Sequence, residues 1–480
     1  MSLWHYIGKF FNTNRFTLVL AVTWLLVSLL KYLKLPKIVA GKWLLWAILF
    51  LGLALRVAWL LYSSHRVQFV WNPAHMLEND LINVHAIDLT RGVWFVDEQG
   101  FPLARRPIGY PMFLGLLYKL LGVHAWVYKV SNLALFAGSA ALVYGIAKGL
   151  FSERVGLMAA FLYSIYPTSI YSVAVITDEH LFLPLWYWGL YLLLKEINGS
   201  KWRGALIAYG LIFGYATMTR THTIFMPFVV ALVYGLMRKS WKNVAMAFVA
   251  VLFVMQLMNL PWVIRNYRIW GVPVLYTATA GNIYISFNEN ATPEGIGHMP
   301  VKGEPGYSEE LDAAQKSTNS GLSHQLAARQ MKRWMLAHPK DAFFLGLKRL
   351  IVFMGWDRKG VWPTWYQFYE GSYDSARPVS PQMKMLWEEG AYTFYYGLLF
   401  SFIFSCVYLG SRWKTLSQAQ RTGLTMIAAC FFFWFLEHMI IYPDRKYRFP
   451  LEPLMIVVAA TFFDYLIFQF RWEEFMPRKR

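Results

Sequence analysis

Runs of apolar residues, each roughly 17 to 25 long, recur along this 480-residue chain, and that is the length a helix needs to cross a bilayer. Charged residues make up 15% of the chain, against about 25% in a typical soluble domain, while 57% are hydrophobic and 18% aromatic. A polytopic, all-α membrane protein follows. The net charge of +19 fits positive loops beside anionic lipid. No nucleic-acid motif accompanies it, so nucleic acid is not expected as a partner. Cys406 and Cys430 both fall in apolar runs, which leaves neither a disulfide framework nor a zinc spacing.

The expected spans are about 16–33, 43–63, 126–149, 155–177, 180–194, 204–219, 222–237, 243–262, 390–410, 422–442 and 453–470. Arg56, alone in its span, must face protein or water. Lys34, Lys148, Lys195, Arg238, Arg412 and Arg421 share one face when the spans alternate, which makes that face cytoplasmic. The organisation expected is an extra N-terminal membrane segment (1–42), then a transmembrane core (43–262) with a long first outer loop (64–125). An extracytoplasmic region of mixed loop character (263–389) and C-terminal transmembrane helices (390–480) complete it. Within 263–389 a helix is expected from about Leu322 to His338. A second, Asp341 to Trp356, would lie in the interface because Lys348 and Arg349 interrupt it.

The outer face carries charge that the positive-inside bias does not explain. Arg105 and Arg106, Arg220, Arg265 and Arg268, Lys348 and Arg349, and Arg445, Lys446 and Arg448 all lie near predicted span ends. Ordinary snorkelling accounts for single cases. Clustering at five span ends favours a shared anionic ligand such as a lipid phosphate, whose oxygens guanidinium matches bidentately. Two acid pairs join them: Glu78 with Asp80, where the chain leaves the bilayer, and Asp178 with Glu179 in a short turn before His180. Sugar transfer from a lipid phosphate needs a base for the acceptor hydroxyl and cations for the leaving phosphate. No cofactor is required for it. Asp178, Glu179 and His180 are the alternative ligand set for a divalent metal. Glu437 and His438 read as a polar pair that packs helices.

These residues resemble the polytopic GT-C glycosyltransferases, in the branch of the protein O-mannosyltransferases and the lipid A aminoarabinose transferase. Arg106-Pro107-Ile108-Gly109-Tyr110-Pro111 looks like that family's Pro-Pro-Gly-Tyr-Pro turn. Thr177-Asp178-Glu179-His180 looks like its second acidic loop, and Thr219-Arg220-Thr221 resembles its Thr-Arg-Pro. Pro261-Trp262-Val263-Ile264-Arg265-Asn266-Tyr267 is the most specific match. Gly281-Asn282, the Asn288 and Asn290 stretch and Lys446-Tyr447-Arg448-Phe449-Pro450 follow in order. The resemblance implies a GT-C bundle of about 10–13 transmembrane helices in the plasma (inner) membrane, with its site on the extracytoplasmic side. It implies inverting transfer of a sugar from a polyprenyl-phosphate carrier to a lipid, glycan or protein hydroxyl. The first loop would supply the catalytic carboxylate, Asp80 in preference to Glu78, with Asp178 and Glu179 as further acids. Arg220, Arg265 and Arg448, then Lys348, Arg106 and Lys446, would contact the donor phosphate. Tyr110, His180, Asn266 and Asn288 would line the pocket. A polyprenyl-diphosphate glycan ligase is the competing enzyme, and a lipid-linked-sugar flippase the competing non-enzyme. The absence of an internal repeat counts against the flippase.

Overall fold

The computed structural model describes residues 42–66, 81–96, 100–104, 106–293, 297–317, 319–355, 381–442 and 445–469. The expected first span (16–33), Glu78, Asp80 and Arg105 lie outside the described residues. The regular structure among the described residues is helical, with one isolated bridge, Val96 to Pro102, and turns between the helices. The helices are α1 Lys42–Arg66, α2 Leu81–Thr90, α3 Gly109–Leu121, α4 Ala125–Leu150, α5 Glu153–Ser164, α6 Pro167–Ser172, α7 Glu179–Ile197, α8 Ala205–Thr219 and α9 Met226–Arg238. They continue with α10 Trp241–Trp270, α11 Ala278–Ser286, α12 Glu309–Lys316, α13 Ser320–Ala337, α14 Pro339–Met354, α15 Pro381–Ser411, α16 Gln418–Ile440 and α17 Glu452–Asp464.

Among the described residues six helical stretches are long and apolar enough to cross a membrane: Trp43–Ser63, Ala125–Leu150, Thr221–Arg238, Trp241–Trp270, Met385–Ser411 and Gln418–Ile440. Other expected spans are shorter than a full crossing or are interrupted, for identifiable reasons. α8 has 15 residues, so it rises only about 23 Å. The expected span 155–177 is broken, because Pro167 offers no N–H and holds Tyr166 extended (φ −66°, ψ 115°), ending α5 and restarting the chain as α6. The last span is α-helical to Asp464 and continues as a π-helical turn, Tyr465–Gln469.

The region expected as a first outer loop contains helices. α2 and α3 pack on each other through Ile82, Ala86, Leu114 and Tyr118. The Arg106-to-Pro111 turn is the start of α3, where the missing N–H of Pro111 costs nothing. The region expected to be of mixed loop character is also largely helical where it is described. α11, α12 and α13 close a small core of their own around Tyr284, Leu311 and Leu326. Exposed Phe343 and Phe344 lie on one part of α14, while its Arg349 is fully buried.

Broken helices leave carbonyls without N–H partners, and hydrocarbon supplies no water for them. Arg56 answers one such break. It is fully buried, and its guanidinium donates to Ser164 O at 2.8 Å, Tyr163 O at 3.5 Å and Ser169 Oγ at 2.7 Å, capping the end of α5. The Phe136 ring lies 3.3 Å from the guanidinium carbon. The charge that had to avoid lipid therefore serves as a helix C-cap. Replacing it removes the donors and leaves the carbonyls buried. Arg56→Ala is expected to cost about 3 kcal/mol, read as a lower thermal midpoint in detergent, with Arg56→Lys recovering part of the loss.

Candidate functional site

The turn between α6 and α7 is built from the chain's buried polar groups. Asn132 on α4 donates through Nδ2 to Val173 O (3.1 Å) and Val175 O (3.2 Å). Tyr110, fully buried at the start of α3, donates its hydroxyl to Asn132 Oδ1 at 3.3 Å. His180 Nε2 lies 2.8 Å from Ser172 O, across the same turn. These contacts fix the backbone that presents Asp178 and Glu179.

Arg220 meets that turn from the end of α8, where the backbone becomes extended (φ −148°, ψ 130°). Its Nε donates to Asp178 Oδ1 at 3.1 Å and its Nη2 to Glu179 Oε1 at 2.5 Å. Thr177 donates its hydroxyl to the other oxygen of Glu179. Nη1 lies 3.5 Å from His222 Nε2, and His222 Nδ1 lies 2.8 Å from Glu437 Oε1. The Tyr447 ring lies 5.3 Å from both the Arg220 guanidinium and the Lys446 ammonium. Glu179 is fully buried and Arg220 nearly so. Burial pushes the Asp178 carboxyl up most strongly, but the Arg220 guanidinium, the Glu179 hydrogen bond and the Lys446 ammonium together hold it below its ordinary range. Asp178 is therefore ionised at neutral pH.

One glycine sets where Arg220 stands. A Cβ on Gly109 would meet Thr219 N at 2.7 Å and Met218 C at 2.8 Å, so α3 can rest on the end of α8 only with glycine there. Tyr215 locks the approach by donating to Gly109 O at 3.0 Å. The turn motif and the Thr-Arg motif are thus in contact, though about a hundred residues apart in the chain.

The other basic residues divide. Arg448, buried, donates to Phe353 O and Gly355 O at 2.8 Å each and to Glu452 Oε1 at 2.9 Å. Arg349 donates to Ser286 O and, at 3.4 Å, to Met439 O. Arg265 donates to Leu103 O (3.1 Å), Phe95 O (3.3 Å) and Asn266 Oδ1 (2.9 Å) and lies over the Trp262 ring at 4.3 Å. It thereby holds Phe95, whose φ of 50° is uncommon for a bulky residue. Asn266 donates to Val274 O and Leu275 O, and Asn288 to Tyr284 O and His298 O. Lys348 and Arg106 are half-buried.

Arg349 and Arg448 nonetheless reach the layer around Arg220. The residue to which Arg349 donates, Ser286, accepts Tyr442 N at 2.9 Å through its Oγ, and the hydroxyls of Tyr442 and Tyr447 lie 3.1 Å apart. Phe353, whose carbonyl Arg448 holds, stacks on His438 at 4.4 Å, and His438 lies 5.6 Å from His222. Arg265, on α10, stands apart and binds the chain that follows α2.

His222 escaped the sequence reading, and Glu437 was read as the partner of His438. Glu437 instead reaches across to His222, while His438 Nδ1 lies 2.8 Å from Trp434 O. The one available signal was a carboxylate inside an apolar helix. Asp178, Glu179 and His180 do not converge as a ligand set. Consecutive residues at a helix start point about 100° apart, and His180 turns towards Ser172. No group of three His, Cys, Asp or Glu able to hold a metal occurs among the described residues.

Residues 105–264, about a third of the chain, match the family model described as dolichyl-phosphate-mannose-protein mannosyltransferase. Tyr110, Asp178, Glu179, His180 and Arg220 all fall inside that stretch. No curated protein matches the chain. Among solved structures it is similar to the archaeal oligosaccharyltransferase AglB from Archaeoglobus fulgidus in complex with an inhibitory peptide and a dolichol-phosphate. That likeness has 12% identity and a TM-score of 0.48, over 88% of this chain and 50% of that one. It is also similar to ArnT from Cupriavidus metallidurans bound to undecaprenyl phosphate, with 13% identity and a TM-score of 0.39, over 86% of this chain and 77% of that one. The chain thus spans about half the length of the archaeal protein.

Two substitutions test the architecture of the site. Arg220→Ala leaves the buried Glu179 and the partly buried Asp178 without their cation and is expected to cost about 3–5 kcal/mol, measured by thermal unfolding, whereas Asp178→Asn costs less. Gly109→Ala forces α3 off α8. It is expected to cost about 1–3 kcal/mol and to increase proteolysis near residue 220.

Proposed function

We propose that this polytopic relative of the GT-C glycosyltransferases moves a sugar from a polyprenyl-phosphate carrier to an acceptor hydroxyl at the extracytoplasmic face of the membrane. The observation that carries this reading is the Arg220 assembly. A buried guanidinium, anchored by Asp178 and Glu179 with His222 beside it and Lys446 near, lies within the stretch that matches the mannosyltransferase family. A cation fixed before the reaction stabilises charge that develops on a leaving group, with little reorganisation at the moment of transfer.

In the proposed step the acceptor oxygen attacks the anomeric carbon as the bond from that carbon to the phosphate oxygen breaks. The acceptor proton passes to a first-loop carboxylate, and polyprenyl phosphate leaves with the electron pair. Attack opposite the leaving group inverts the anomeric centre. Asp80 is the proposed base, with Glu78 second. Asp178 and Glu179 act as the anchors of Arg220, and Arg220 with Lys446 faces the phosphate. Arg265 holds the segment after α2, close to where the first loop re-enters the protein. Arg448 and Arg349 support the same layer from behind, and Tyr110 and His180 hold the turn. Asn266 and Asn288 order the entry to the outer region, which selects the acceptor.

The test is transfer from radiolabelled polyprenyl-phosphate sugars by purified protein, with and without chelator. Asp80→Ala is expected to lower kcat by about 10²- to 10⁴-fold and Glu78→Ala by far less. Arg220→Lys, which keeps a charge but loses the fork, is expected to lower kcat by about 10²-fold. Consumption of a diphosphate-linked glycan in place of any monophosphate donor would instead identify a ligase.

A further inference from the structure

The end of α4 and α7 remote from Arg220 carries a groove. α7 starts at Glu179 in the candidate site, and Lys195 lies sixteen residues further on, about 24 Å away along the helix. There, between α4 and α7, is a groove of about 440 Å³, within the range of ligand pockets. Its apolar lining includes Ala141, Gly145, Tyr191 and Leu194, and Lys148, Lys195 and Asn198 line it as well. From Ala141 to Lys148 the wall runs about 10 Å along α4. A Cβ at Gly145 would meet the Tyr191 ring at 2.7 Å, so glycine is what lets that ring lie against α4 as a wall. Asn198 pins the groove by donating to Gly149 O at 3.0 Å.

The charge along this groove is only partly balanced. Lys148 lies 3.4 Å from Glu153 and donates to the Tyr144 hydroxyl at 3.1 Å. Lys195 has no carboxylate within 4 Å among the described residues; the Tyr191 ring lies 5.5 Å from its ammonium. The nearby acid Glu196 is buried and accepts the hydroxyls of Tyr209 and Tyr234 at 2.9 Å, so its charge is turned inward. Lysines in the last turns of α4 and α7 offset the helix dipoles in any case. Dipole compensation, however, gives no reason for an apolar slot to open between them.

An apolar slot that two lysines also line, at the end of membrane helices, has the polarity profile of a phospholipid. We propose that this groove binds a phospholipid with an anionic headgroup, its phosphate between Lys148 and Lys195 and one acyl chain lying along Ala141, Gly145 and Leu194. The site is independent of the glycosyltransferase reading. It would fasten the α4–α7 pair at the end remote from Arg220.

The test uses the full chain, stripped of lipid in detergent and titrated with phosphatidylglycerol or phosphatidylcholine, with retained lipid counted by native mass spectrometry. Phosphatidylglycerol is expected to be held about tenfold better than phosphatidylcholine. The preference should vanish in Lys148→Gln/Lys195→Gln, survive in Lys148→Arg/Lys195→Arg, and fall in Ala141→Trp, which fills the slot from an exposed position. Thermal unfolding of each lipid-free variant should match that of the parent. Equal retention of the two lipids by the parent protein would overturn the proposal. So would an unchanged preference in the Gln pair, its loss in the Arg pair, or displacement of the lipid by millimolar inorganic phosphate.

Discussion

The contact on which the site depends is the buried fork of Arg220 on Asp178 and Glu179. Two carboxylates cannot be withdrawn from water at the end of an apolar helix unless a cation answers them. The cation, in turn, stays in place only because its donors are engaged from several elements. α8 brings it, the turn before α7 receives it, and α16 closes the far side through Glu437 and His222. Gly109 sets how closely α3 approaches that junction. The rigidity comes from charge that has no water to relax into.

A second constraint runs through the whole bundle. Helices that break inside or at the edge of a bilayer expose carbonyls, and only side chains can satisfy them. Arg56 caps α5, Arg448 caps α14, and Arg349 reaches the ends of α11 and α16. Tyrosine hydroxyls do the same work at Met354 O and Pro450 O. Arginine suits this role because its planar fork holds several carbonyls at once. The same geometry suits phosphate, so a list of arginines near span ends cannot separate the two uses.

That ambiguity marks the limit of the sequence. The spans could be read to within a few residues at α4, α7, α9 and α16, because an apolar run bounded by charge is a one-dimensional signal. The break at Pro167 and the helices hidden in the first loop could not, since a twelve-residue helix looks like part of a longer one. In the site, Asp178, Glu179 and Arg220 stood out as charges in places where charge is costly. His222 did not, because its role depends on Glu437, which lies 215 positions further along the chain.

By itself, then, the sequence determined that the chain crosses a membrane many times, that the short loops on one side are basic, and which few charges could not face lipid. These follow from composition and order, because transfer into hydrocarbon is priced residue by residue. Only the tertiary structure decided what each charge meets. It joined Arg220 to Asp178 and Glu179 and turned Arg56, Arg349 and Arg448 onto helix ends. It also left Lys195 at the edge of a groove, with no carboxylate within 4 Å of it among the described residues. Pairing is a matter of distance across helices, and that distance is set by packing at residues such as Gly109, which carry no charge at all.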